Sequence, residues 1–124
     1  MLKDDFFRII ALNGEVPSFR AQLAFNAQHR IFGGHFPGQP VVPGVCLMQM
    51  VQEVTETALG SGGLKLLRAD QLKFIALIDP GKARTLEMKL DCKQGEDGTV
   101  QVIAGLSDDG KLCFKFSGVF VQQA

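Results

Sequence analysis

The chain contains no tryptophan and no tyrosine, and its ten aromatic residues are all phenylalanine. The residues most used for base stacking and for membrane-interface belts are therefore missing, although Phe can also stack. Net charge is missing too. Thirteen Lys and Arg balance thirteen Asp and Glu, which leaves no electrostatic case for nucleic acid or an anionic membrane as a partner. No apolar run approaches the ~20 residues of a membrane span. Cysteine is scarce and odd in number. Cys46, Cys92 and Cys113 form no CxxC pair, so they read as reduced thiols of a cytoplasmic protein rather than a disulfide framework. Asp4 and Asp5 stand where a signal peptide would carry its basic region. No His/Cys cluster has zinc spacing. The acidic turns Glu96-Asp97-Gly98 and Asp108-Asp109-Gly110 have turn chemistry, not calcium-ligand spacing. No metal and no cofactor is expected.

A length of 124 residues sets the expectation of one domain over residues 1–124, with an oligomer interface adding to its buried surface. Phe6 to Leu12 is apolar and β-compatible, and Asn13-Gly14 reads as the turn that ends a first strand. From Ser18 to Ala27 the residues Phe19, Ala21, Leu23, Phe25 and Ala27 fall on one face of a second strand. Gln28 to Gly44 has no period and reads as a long loop. Val45 to Leu59 is apolar around most of its circumference, the mark of a buried helix, and Gly60-Ser61-Gly62-Gly63 ends it. Alternation then predicts strands over 64–78, 85–92, 99–106 and 111–121, separated by turns at 79–81, 95–98 and 108–110. The fold class is α+β: an antiparallel sheet wrapped around one helix, with a remaining face or edge most simply handled by dimerisation.

The stretch Gly33-Gly34-His35-Phe36-Pro37-Gly38-Gln39-Pro40-Val41-Val42-Pro43-Gly44-Val45 crowds conformationally special residues around a titratable one. It resembles the GHFPxxPxxPGV signature of the FabZ/FabA-like 3-hydroxyacyl-acyl-carrier-protein dehydratases, and every fixed position is filled. The resemblance implies the hotdog fold, substrates that are acyl thioesters on a phosphopantetheine arm of acyl carrier protein, and a lyase of fatty-acid or polyketide-type synthesis. It also implies dimers with two sites at the subunit interface, as a homodimer, a higher oligomer of dimers or a heterodimer. On the motif, the catalytic histidine maps to His35, the oxyanion donor to the Gly44 N–H, and the family's carboxylate position to Gln49. That last position departs from the family: it holds an amide.

Dehydration of a 3-hydroxyacyl thioester needs a base for the carbon beside the carbonyl, a stabiliser for the developing oxyanion, and an acid for the departing hydroxyl. His35 suits the first task. Gly44, at a helix start and without a side chain, suits the second. Gln49 can orient a hydroxyl but not donate a proton as an acid. Two routes remain open for the third task. His35 returns the proton itself, or Glu53, four residues after Gln49 on the same helix face, substitutes. Phe36, Pro43, Val45 and Met48 are the candidate substrate contacts. Plain packing is the competing reading for Phe36 and Met48, a structural amide for Gln49, and a solvated helix face for Glu53. His29 reads as a surface or loop-packing residue, and Cys46 as a small buried hydrophobe despite its place near a helix start. Two alternatives to a dehydratase stand beside it: an acyl-carrier-binding partner subunit of a complete dehydratase, and a hotdog acyl thioesterase, which also wants a carboxylate.

Overall fold

The computed structural model describes residues 2–34, 41–82 and 85–123. Six strands and two helices follow in the order β1 (Phe7–Glu15), β2 (Ser18–Phe25), α1 (Arg30–Gly34), α2 (Gly44–Leu59), β3 (Leu64–Phe74), β4 (Leu86–Gln94), β5 (Thr99–Asp108) and β6 (Lys111–Gln122). The strands form a single sheet, ordered β1-β2-β4-β5-β6-β3, with every pair antiparallel. The inner faces of β2 (Phe19, Ala21, Leu23), β4 (Leu86, Met88, Leu90, Cys92) and β5 (Val100, Val102, Ala104, Leu106) are buried at alternate positions. They join Cys46, Leu47, Met50, Val51 and Val54 of α2 in one apolar core. Period-two and period-3.6 patterns thus meet as the sequence requires.

Helix α2 is held at both ends by backbone geometry. Pro43 precedes it in extended conformation (φ −63°, ψ 145°), and the N–H groups of Cys46 and Leu47 return to the Pro43 carbonyl. At the other end Gly60 adopts φ 67°. Its N–H bonds to the Thr57 carbonyl while the Ser61 N–H bonds to that of Glu56, the paired arrangement that closes a helix on a left-handed residue. Thr55, fully buried, satisfies its hydroxyl on the Val51 carbonyl at 2.7 Å.

Four expectations are corrected. Asn13-Gly14 is not a turn. β1 runs on to Glu15, and the chain reverses at Val16-Pro17. Gly14 is required for another reason: its φ is 112°, and a Cβ there would lie 2.3 Å from the Ser18 carbonyl oxygen of the paired strand. Second, the stretch after β2 is not wholly a loop, since Arg30–Gly34 forms one short helical turn. It begins beside His29, whose ring nitrogen Nδ1 accepts the Ile31 N–H at 3.1 Å. Third, β3 stops at Phe74 rather than Ile78. Alternation continues beyond the strand because Ile78 is buried without strand pairing, its carbonyl accepting the Val42 N–H at 2.9 Å. β2 likewise stops at Phe25, two residues short of the predicted Ala27.

The strand β3 closes one end of the sheet and has no neighbour on its outer side among the described residues. Leu67, Leu72, Phe74 and, just beyond it, Ile75 and Leu77 are exposed, Leu77 to 84%. A long apolar edge of this kind invites pairing with another chain.

Candidate active site

The start of α2 opens onto a groove of about 470 Å³ lined by Val41, Val42, Pro43, Gly44, Leu47 and the segment Phe74–Ile78. Gly44 is the residue of closest approach. A Cβ there would meet Phe74 Cζ at 2.8 Å and Cε1 at 2.9 Å. The Phe74 ring is in turn stacked on Phe114, with centroids 5.1 Å apart and planes 26° apart. Among the described residues, no acceptor takes the Gly44 N–H. Free N–H groups are the normal condition of a helix start, and Gly44 is among the residues that line the groove.

Gly44→Ala is expected to leave the melting temperature nearly unchanged, since Phe74 is half exposed and can swing aside. The methyl group would nevertheless displace that ring and fill the approach to the N–H. Misplacement on the 1 Å scale costs up to ~10²-fold, and steady-state kinetics beside a thermal melt would show a loss of turnover without a loss of fold.

A second groove of about 280 Å³ runs along another side of α2, lined by Val45, Met48, Gln49, Gln52, Leu66, Phe116 and Phe120. The structure therefore brings the predicted Val45, Met48 and Gln49 together, and places Pro43 and Gly44 in the other groove. Gly44 and Gln49 are five residues apart, about 140° around the helix axis. Within one chain they do not face a common space. Among the described residues neither groove is lined by an acidic one. His35 and Phe36 lie outside the described residues.

Glu53 is on the Gln49 side of the helix, as its spacing predicts, but it is turned inward and only 1% exposed. Gln49 Nε2 donates to Glu53 Oε2 at 2.9 Å. The Leu2 N–H is shared between Oε1 and Oε2, at 2.9 Å from each, and the Lys3 N–H donates to Oε1 at 2.6 Å. Hydrogen bonds to a charged acceptor are worth about 1.5–3 kcal/mol each, so this carboxylate ties residues 2 and 3 to the middle of α2. The solvated-face reading of Glu53 is thereby corrected. Sequence reasoning missed this because the donors are backbone groups some fifty residues away, and backbone donors carry no sequence signal. Buried side-chain nitrogen and oxygen atoms without a partner are absent among the described residues.

His29 Nε2 lies 3.1 Å from Asp5 Oδ2, and its ring meets Phe6 edge-on. With Nδ1 accepting from Ile31, the Nε2 edge carries the proton toward Asp5. Both ring nitrogens are engaged, in keeping with a loop-packing residue. Burial pushes the Cys46 thiol up from its ordinary range despite the helix start, and pushes that of Cys92 up to about 11, helped by the charge of Asp91. The three cysteines are free and buried, so none is an activated nucleophile. Asp97 accepts from the Thr99 hydroxyl and N–H, which holds its carboxyl below the usual range and fixes the β4–β5 turn. Among the described residues no cluster of three or more His, Cys, Asp or Glu is placed to hold a metal, and no helix is long and apolar enough to cross a membrane.

An antiparallel sheet curled around one buried helix, with grooves along that helix and a glycine at its start, defines a hotdog protein of the dehydratase type. The chain belongs to the ApeI-like dehydratase family: the model of the ApeI dehydratase matches residues 13–113. A 3-hydroxyacyl-[acyl-carrier-protein] dehydratase FabZ of Oenococcus oeni is 31% identical over 103 residues, covering 75% of this chain and 70% of that protein. An uncharacterized thioester dehydrase of Halalkalibacterium halodurans is 30% identical over 120 residues, covering 91% of this chain and 76% of the relative. Among solved structures, a chain of the dehydratase heterocomplex ApeI:P from Xenorhabdus doucetiae superposes with a TM-score of 0.72 at 22% identity, covering 92% of this chain and 96% of that one. That likeness carries the hotdog fold.

Proposed function

We propose that residues 1–124 form a single hotdog domain acting as a 3-hydroxyacyl-acyl-carrier-protein dehydratase-like lyase. The observation that carries this reading is Gly44, whose N–H at the head of α2 has no acceptor among the described residues, with an apolar groove before it. In the reaction, the C–H bond beside the thioester carbonyl breaks and its proton passes to the His35 imidazole. The negative charge growing on the carbonyl oxygen is stabilised by the Gly44 N–H. The C–O bond at the third carbon then breaks, the hydroxyl leaves as water with the proton returned by His35, and a carbon–carbon double bond remains. Gln49 holds the hydroxyl by hydrogen bonding. Phe36, Pro43, Val45 and Met48 contact the acyl chain, which is presented on acyl carrier protein. His35 carries both proton transfers because neither groove offers a carboxylate.

The site is completed between two copies. The placement of Gly44 and Gln49 on different sides of α2 supports this, because one chain cannot bring both to one substrate. The exposed edge of β3 is the surface that a second copy would cover. Replacing Leu67 and Leu77 by Lys is expected to convert the dimer to monomer in sedimentation and to abolish turnover with it. A dimer that survives this pair of charges would refute the edge assignment. The three buried, free thiols support a cytoplasmic setting.

A second reading is favoured by the same missing carboxylate: the chain acts as the acyl-carrier-binding subunit of a mixed dimer whose other member brings the acid. The test is hydration of a 2-butenoyl thioester by the purified chain alone, followed through loss of the conjugated absorbance. Turnover by the chain alone supports the first reading. Turnover only after addition of a complete dehydratase subunit supports the second and overturns the first. The thioesterase reading predicts free thiol release instead, and with no acidic residue lining either groove to activate water we expect none.

A further inference from the structure

The amide of Gln49 is not free to choose which end it shows. Its Nε2 donates to Glu53 Oε2 at 2.9 Å, and a carboxylate only accepts, so the nitrogen end must face Glu53. Gln49 itself lines the groove with Val45, Met48 and Phe116. Its carbonyl oxygen Oε1 is then the end turned away from the carboxylate. Glu53 cannot rotate to release it, because its oxygens also receive the N–H groups of Leu2 and Lys3 and it is buried to 1% exposure.

We propose that Glu53 is a positioning residue: held by the Leu2 and Lys3 backbone, it fixes the Gln49 carboxamide with its oxygen toward the groove. The site thereby offers a substrate hydroxyl an acceptor, into which its O–H donates. This rests on the dehydratase reading for its substrate, but the orientation itself does not. It also assigns Leu2 and Lys3 a part in the site, since they fix the group that fixes Gln49.

Glu53→Gln tests it with little disturbance of the fold. The new Oε1 can accept the Leu2 and Lys3 N–H groups as Glu53 Oε1 does now, while the new Nε2 replaces the acceptor facing Gln49. Two nitrogen donors would then oppose each other, so the Gln49 amide must invert and turn its own NH₂ to the groove. The expected results in the 124-residue chain are a melting temperature within a few degrees of the parent and a clear shift of the Gln49 side-chain NH₂ signals in the ¹⁵N–¹H spectrum. With a 3-hydroxybutyryl pantetheine thioester, kcat/KM is expected to fall by about 10-fold, the scale of one hydrogen bond. In a Gln49→Ala background the same Glu53→Gln change is expected to alter kcat/KM by less than about 2-fold, because Glu53 acts through the missing amide. Unmoved Gln49 NH₂ signals would overturn the proposal. So would an equal kinetic effect in both backgrounds, which is what a purely structural carboxylate gives. If Glu53→Gln unfolds the chain, Glu53→Asp decides by the same spectrum: its shorter carboxylate retracts from Gln49, and unmoved NH₂ signals in a folded variant overturn the proposal. Absence of turnover in the parent and in His35→Ala alike would refute the dehydratase reading, and the spectrum would still decide the positioning.

Discussion

His35→Ala is expected to lower hydration of a short 2-enoyl thioester by at least ~10²–10⁴-fold, the range lost when a general acid–base group is removed. The upper end is the expected one, because among the described residues no carboxylate lines either groove to take over half of the work. In a site with a separate acid, removing the base leaves the acid to assist. In the mechanism proposed above both proton transfers pass through one imidazole, so both would be lost together. The fold should survive, since the core is built by the sheet and α2. A base must be neutral to act, so the limb of the parent's pH profile that rises with pH should vanish in the variant. Comparable rates in the two proteins would remove His35 from the mechanism.

The exchange Gln49→Glu with Glu53→Gln is expected to act in the opposite direction, raising turnover by ~10²-fold or more as a general acid is supplied. The pairing beneath the groove makes the double change physically tolerable. The amide introduced at position 53 would present its oxygen to the Leu2 and Lys3 N–H groups and its nitrogen to the new carboxylate, so each buried polar atom keeps a partner. The result is one amide–carboxylate bond with its polarity reversed and the carboxylate in the groove. Gln49→Glu alone is the harder case. It sets two carboxylates at the 2.9 Å spacing now spanned by an amide nitrogen and an oxygen, and such a pair holds one proton between them. We therefore expect the single change to cost stability and the exchange to restore it. A folded exchange variant with no gain in rate would mean that the acid belongs elsewhere, on a partner subunit or on His35.

Much of the fold was legible because its signals are periodic. Phe19, Ala21 and Leu23, or Leu86, Met88, Leu90 and Cys92, alternate in sequence and lie buried at alternate positions in β2 and β4. The errors fell where a local signal had two physical causes. Asn13-Gly14 carries turn residues, yet Gly14 is there for a close approach of backbone inside a strand. The alternation runs on to Ile78, which is buried outside the ladder with its carbonyl bonded to the Val42 N–H, while Ala76 is exposed. The short helix over Arg30–Gly34 has no period long enough to read.

The sequence by itself determined the long helix α2, six strands, the order in which they come, and a motif that resembles a dehydratase signature at His35 and Gly44, with an amide at Gln49. These are local properties: periodicity, turn residues and spacing. Only the tertiary structure decided that Glu53 is buried and bonded to backbone N–H groups rather than solvated. Its fate depends on the Leu2 and Lys3 N–H groups, brought to it across some fifty residues by the packing of that segment on α2. It also decided that Gly44 and Gln49 face different grooves, and that the apolar side chains of β3 are left uncovered at the end of the sheet. Side-chain identity says what a group can do, whereas the donors and surfaces that fold around it determine which of those things it does.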